Sequence, residues 1–446
     1  MQKSTNKVVK KLLYPIEKFM ELETSGGVLL LIVTFVAMSW ANSPWKESYK
    51  HLIHLPITIG IGSLRLSHSL HFWVNDALMV IFFFVVGLEI KRELLIGELS
   101  SPKKAALPIF AAIGGMIVPA LIYHAFNANG PGVHGWGIPM ATDIAFAVGV
   151  ITLLGTRVPF SLKVFLLALA IVDDLGAVLV IAFFYTETII PEALGFAAFG
   201  LMAMFMMRYA GIRKHLPYII TGIFVWFCIF KSGVHATVSG VLIGLLTPLT
   251  PLYPFKELSE KISTTASLLA EELRRLPENT PSLNSPSKSL LTKLYHYSIE
   301  AQNPLDRSIK VLHPWVTFFI MPLFALVNAG VDLSEVSLNS IMSSPISIGV
   351  FLGLLLGKPI GVLLASFISV KAKIASLPQN VNWTQMSALG FLAGIGFTMA
   401  LFISNLALKT PHLEAFSKIG ILLASLLASI VGASIFYLIP SSTKKE

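Results

Sequence analysis

Residues 167–184 read LALAIVDDLGAVLVIAFF, a run that is apolar everywhere except at Asp173 and Asp174. A helix needs about 20 apolar residues to cross a bilayer, and a carboxylate at its centre costs at least about 2.5 kcal/mol. Two such groups side by side therefore point to an ion or proton pathway. Neighbours on a helix stand about 100° apart, so one carboxylate can face a water-filled cavity while the other faces a partner. In low dielectric the two resist simultaneous ionisation. A site of this kind holds either a proton or a hard cation such as Na⁺ or Li⁺, and competition between them is a physical basis for exchange.

The rest of the chain has the same character. It is 54% hydrophobic and 13% charged, with a mean hydropathy of +0.75, outside the range of soluble globular proteins. Apolar spans recur between residues 24 and 438 often enough to predict twelve membrane helices in an all-α polytopic protein. The first is preceded by Lys3, Lys7, Lys10, Lys11 and Lys18, with no small-residue cleavage site, so the N-terminus is expected in the cytoplasm. With alternating spans, Lys46, Lys50, Arg65, Lys231, Lys409 and Lys418 fall outside and Lys358 lies in the membrane. The remainder of the 33 Lys and Arg are then cytoplasmic, as is the C-terminus, in keeping with the positive-inside rule. The net charge of +9 follows from that topology, with anionic lipid contact, and needs no nucleic-acid partner. Cys228 is the single cysteine, so no intrachain disulfide forms. No phosphate-binding loop occurs, and neither an enzyme activity nor a cofactor is expected.

Two more spans carry charge. In ATDIAFAVGV (141–150), Thr142 and Asp143 can satisfy backbone groups freed by local unwinding, and the Asp charge can offset facing half-helix dipoles. An ordinary N-cap is the alternative. In LGLLLGKPIGVLLASF (352–367), Lys358 sits between Gly357 and Pro359 and needs a counter-ion, either Asp173 or Asp143. The stretches 104–185 and 345–438 each hold one interrupted span, PMATDIAFAVGV and GFLAGIGFTMALF. Paired broken spans point to an inverted-repeat transporter with its site at the midplane.

Residues 54–71, HLPITIGIGSLRLSHSLH, alternate apolar and polar around Gly60 and Gly62. They predict a β-hairpin on the outer face, as against an ordinary loop, and its free edge is a candidate homodimer contact. Residues 251–311 form the longest polar segment, in which a short amphipathic helix is predicted at 262–276 with a flexible linker beyond it.

Six strings in order, ATDIAFAVGV, ALAIVDDLGAVLVIAFFYT, KSGVHATVSGVLIG, VLHPWVTFFIMPLFALVNAGV, LGKPIGV and GFLAGIGFTMALFI, resemble the NhaA-type sodium/proton antiporters of bacterial inner membranes. The resemblance runs from about residue 20 to 438. It implies a 12-helix NhaA fold with inverted repeats and two crossed, broken helices. A core bundle would span about 104–209 and 345–438, and a panel about 24–90 and 234–330. It further implies Asp174 as the principal Na⁺ ligand, Asp173 paired with Lys358, and Thr142 and Asp143 at the unwound helix. The transported partners would be Na⁺, Li⁺ and H⁺, exchanged electrogenically under pH control. For that control the resemblance points to the string GLEIKRE, with Glu89, Arg92 and Glu93, while the family's acid–His pair before VLHPW is replaced here by Ile309 and Lys310. His313 and His235 are the remaining candidates that titrate near neutral pH.

Overall fold

The computed structural model describes residues 25–61, 64–186, 188–212, 215–249, 254–277, 282–301, 303–334 and 338–439. The N-terminal lysines, the hairpin's Gly62 and Ser63, and the last seven residues lie outside these. The chain opens with α1 (Ser25–Ala41), which turns through 116° into the short polar α2 (Lys46–Ile53). The hairpin follows: β1 (Pro56–Ile61) pairs antiparallel with β2 (Leu64–Ser69), Pro56 opposite Ser69 and Gly60 opposite Arg65. The alternation of Ile57, Ile59 and Ile61 with Thr58 and Gly60 produces this ribbon, as the sequence predicts.

The helical body comprises α3 (Leu70–Leu95), α4 (Pro102–Asn127), a 3₁₀ segment (Val133–Met140), α5 (Ile144–Leu154), α6 (Phe160–Phe184), α7 (Pro191–Tyr209), α8 (His215–Ser232) and α9 (Ala236–Leu246). After the polar segment come α12 (Pro304–Asn328), the short α13 (Leu338–Ser343), α14 (Pro345–Lys371), α15 (Trp383–Ala393), α16 (Phe397–Ala407) and α17 (Pro411–Leu438). The polar segment itself supplies α10 (Phe255–Arg274) and α11 (Ser285–Glu300). Among the described residues, seven helical spans are long and apolar enough to cross a membrane, the one over Val133–Arg157 being interrupted between the 3₁₀ segment and α5, or nine when the bent pairs α1–α2 and α15–α16 are each taken as one span. Side chains such as Phe35, Phe183 and Phe199 are more than 70% exposed, which suits a surface solvated by lipid rather than water.

The segment 251–311 differs from its expected form. The amphipathic helix starts at Phe255 rather than 262, and what was expected to be a flexible linker contains α11, packed against α10. The run NSPSKS, linker-like in composition, is a helix start: Asn284 Oδ1 accepts the Ser287 N–H at 3.0 Å, and proline is tolerated in a first turn.

The strongest packing in the body joins α4 to α14. Gly114 and Gly361 face each other there so closely that a Cβ on either would strike the other's carbonyl oxygen. That approach carries Lys358, on α14, into the interior. Within α14 the turn at Gly353–Gly357 is π-wound, immediately before Lys358. The helix α7 packs on α8 and forms a separate small core of Ala197, Met204, Val225, Cys228 and Ile229.

Candidate functional site

Two breaks meet at one point. Between the 3₁₀ segment and α5, Ala141 and Asp143 are extended. Between α15 and α16, Gly394–Gly396 interrupt a helix that bends by 46°. The Asp143 N–H donates to Ile395 O at 2.6 Å, so the two breaks bond directly across the crossing. Each break leaves a helix N-terminus with unpaired N–H groups and partial positive charge.

Asp143 serves both of those ends. Its Oδ1 accepts the Phe146 N–H at 3.0 Å, capping α5, and its Oδ2 accepts the Thr398 N–H at 3.0 Å and the Thr398 hydroxyl at the start of α16. Of the two readings of Asp143 open from sequence, the N-cap is present, and the same carboxyl group also accepts hydrogen bonds from the N-terminus of the second half-helix.

The neighbouring α6 presents Asp173 and Asp174, each 1% exposed. Lys358 Nζ, fully buried, donates to Asp173 Oδ2 and to Met140 O at the end of the 3₁₀ segment. Thr142 Oγ1 lies 2.6 Å from Asp173 Oδ2 and 2.8 Å from Ala393 O, so its one proton serves one acceptor at a time. Asp173 Oδ1 and both oxygens of Asp174 have no hydrogen-bond partner among the described residues. The charged groups that act on Asp174 are Asp173, Glu89, Asp143 and Lys358. One lysine therefore stands among three buried carboxylates, and they differ: Asp143 is saturated by donors, Asp173 is half-used, and Asp174 is open. Hard oxygen atoms without donors suit a small monovalent cation.

The candidates for pH response do not assemble in one place. Glu89, Arg92 and Glu93 lie near the far end of α3 from the hairpin. Arg92 Nε stands 4.0 Å from Glu93 Oε1, and Glu93 Oε2 accepts the Glu98 N–H at 2.9 Å. His313, on α12, is within electrostatic reach of Arg92 and 3.5 Å from Thr317 Oγ1. Ile309 is buried in an apolar cluster with Leu88 and Leu305, and Lys310 is exposed. His235 lies near the hairpin end of α3 instead, its Nδ1 3.9 Å from Asp76 Oδ1.

Sequence reasoning missed Lys91, which is 5% exposed and donates to Leu245 O at 2.8 Å and Thr247 O at 2.5 Å, at the C-terminus of α9. The signal was present in its spacing. Phe84, Gly87 and Leu88 precede it at i−7, i−4 and i−3, on the face of α3 that packs inward.

Two helices whose breaks bond to each other, with a lysine and three carboxylates buried beside them, suit a multi-pass membrane transporter of small cations rather than an enzyme. The chain belongs to the Na⁺/H⁺ antiporter 1 family, whose model matches residues 17–436. It is 50% identical over 430 residues to the Na(+)/H(+) antiporter NhaA of Oleidesulfovibrio alaskensis, covering 95% of this chain and 94% of that one. It is 44% identical over 434 residues to the protein of the same name from Acidithiobacillus ferrooxidans, with 97% and 99% covered. To the Na(+)/H(+) antiporter NhaA 2 of Sorangium cellulosum it is 45% identical over 430 residues, with 94% and 89% covered. It exchanges Na⁺ for H⁺ across a membrane.

Proposed function

We propose that the exchange is electrogenic, takes cytoplasmic Na⁺ or Li⁺ out against external protons, and proceeds by alternating access around the crossing. Asp174 is the principal ligand, assisted by Asp173 Oδ1 and the Thr142 hydroxyl. The observation that carries this is the set of three buried carboxylate oxygens, on Asp173 and Asp174, without partners among the described residues. A buried carboxylate without donors must be neutralised by a proton or a cation, which makes the two mutually exclusive there. A second proton belongs to the Asp173–Lys358 pair. When Na⁺ draws Asp173 into its shell, that pairing is lost and the proton leaves. Two protons against one Na⁺ move net charge.

In this reading the protein sits in the bacterial inner membrane with both termini cytoplasmic, in contact with its lipids. Counting α7, α8 and α9 as spans brings the nine to twelve. Glu89, Arg92, Glu93 and His313 set the pH response, because Glu89 acts on Asp174 electrostatically while its neighbours act on Glu89 and His313. The hairpin is the homodimer contact, with Ile59 56% exposed on its ribbon.

The test uses acidified everted vesicles with a ΔpH-sensitive dye. Addition of Na⁺ or Li⁺ is expected to dissipate the gradient, and Asp174→Asn to abolish that response with the protein still folded. Wild-type exchange in Asp174→Asn would overturn the ligand assignment.

A further inference from the structure

At the hairpin end of the molecule a cavity of about 510 Å³ is lined by charged groups that include Lys46, Lys50, Asp332, His412, Glu414 and Lys418. His54 also lines that cavity, and Lys418, Glu414 and His54 are within electrostatic reach of His71, at the start of α3. The His71 ring nitrogens lie 3.0 and 3.2 Å from Asn75 Nδ2. Asn75, 6% exposed, and Asn328, fully buried at the end of α12, exchange hydrogen bonds: Asn75 Nδ2 donates to Asn328 Oδ1 at 3.2 Å, and Asn328 Nδ2 to Asn75 Oδ1 at 2.9 Å. Asn405 Nδ2, on α16, donates to the same Asn328 Oδ1 at 2.5 Å. A hydrogen-bonded polar trail thus runs from His71, within electrostatic reach of the cavity's charges, to α16. On that helix Asn405 is seven residues beyond Thr398, about 10 Å along the axis, and Thr398 is bonded to Asp143 at the crossing.

We propose that Asn75, Asn328 and Asn405 form the gate between this cavity and the ion site. The proposal rests on the antiporter reading, in which α16 must shift against α3 and α12 for the site to change sides. The cluster is the polar link between exactly those parts of the molecule that must separate: Asn405 belongs to the broken helix, and Asn75 and Asn328 to the elements it leans on. Neutral carboxamides suit such a joint because they hold by hydrogen bonds without placing a net charge in the path. Asn75 lies in a π-wound turn, Trp73–Leu78, a geometry that recurs at functional positions in helices. Asn405 Oδ1 and the adjacent Ser404 Oγ are buried and have no hydrogen-bond partner among the described residues. A purely structural clasp would use them; oxygens of this kind can replace part of a cation's hydration as it passes. Next along α16 stands Phe402, with the rings of Phe83 and Phe324 at 5.4 and 6.1 Å, an apolar barrier once the asparagines are joined.

The experiment places a reporter thiol at the gate, Ser404→Cys in a Cys228→Ser background, and measures its modification by a membrane-impermeant methanethiosulfonate in right-side-out and in everted vesicles. With the cluster intact, modification from the hairpin side is expected to be slow. Asn405→Ala should accelerate it about tenfold from that side only, since one lost hydrogen bond shifts the open population by about that factor. Asn75→Ala, on the other side of the joint, should do the same, and a variant that does not fold is replaced by Asn→Ser at its position. Equal rates in all folded variants, or acceleration equal from both sides, would overturn the gate. The Asp174→Asn exchange assay separates the two readings. Lost exchange without acceleration removes the gate and keeps the ion site; side-specific acceleration with exchange intact in Asp174→Asn does the reverse.

Discussion

The crossing and the outer loop each join lysine to aspartate, and the two pairings have opposite surroundings. At the crossing, Lys358 and Asp173 are both fully buried. At the hairpin end, Lys46 and Lys50 reach Asp332 at 3.2 and 3.3 Å while they remain 36% and 42% exposed. Both lysines there can turn to water if the pairing is lost, and Asp332, its side chain 12% exposed, keeps the Ser334 hydroxyl as a donor. No water substitutes for Lys358, and Asp173 depends on it. The same two residue types thus make a surface brace in one place and a buried pair in the other, the one proposed above to couple the ions, and burial separates them.

Lys358→Ala is the sharpest way to break that contrast. Removing one partner of a buried pair leaves an uncompensated charge and costs about 3–5 kcal/mol, which should appear as a large fall in melting temperature in detergent. Adding Asp173→Asn should recover most of the stability while leaving exchange impaired, because the lost energy belongs to the unpaired charge. An unchanged melting temperature in the single variant would mean that Asp173 is not held as an ion by Lys358.

Lys91 lies between the two extremes. It is buried, yet its partners are the carbonyls of Leu245 and Thr247 rather than a carboxylate. Lys91→Met keeps the aliphatic stem and leaves two acceptors at a helix end unpaired, at a cost of about 1–3 kcal/mol. Thermal unfolding should place it below Lys358→Ala and above any change in the outer cluster. A loss as large as that of Lys358→Ala would show that an ion-pair partner is not what makes a buried lysine critical.

These positions were unequally legible in the sequence. Asp173, Asp174, Asp143 and Lys358 stand out because an ionisable group in an apolar span has few explanations. What could not be read is how the three carboxylates divide their partners. Asp143 is saturated because Thr398, 255 residues away, begins a half-helix against it, which is a tertiary fact. The hairpin was visible in its period-two alternation. The helix α11 was hidden because its proline- and serine-rich start has a linker's composition. The three asparagines were invisible: each is a single neutral residue, Asn75 and Asn328 are separated by 253 positions, and nothing local marks any of them as a partner.

The smallest expected effect belongs to Asp332. The Ser334 hydroxyl, donating at 2.5 Å, does most to hold its carboxyl well below the usual carboxylate range; burial opposes this, and Lys46 and Lys50 reinforce it. A folded-state pKa below the unfolded value near 3.9 stabilises the fold above that pH, and the contribution is lost as pH falls toward the folded value. Exposed pairs of this kind contribute under about 1 kcal/mol. Asp332→Asn should therefore lower the melting temperature slightly at pH 7, and the gap to wild type should close as pH falls below about 4. Raised salt should narrow the gap at pH 7 as well, since charges this exposed are screened. The Lys358–Asp173 pair, with no side-chain surface open to bulk screening, should keep its full cost of removal when the ionic strength is raised equally with a salt whose cation is neither Na⁺ nor Li⁺. A gap for Asp332→Asn that ignores both pH and salt would place the outer cluster with the buried pair, and exposure would no longer separate the two regions.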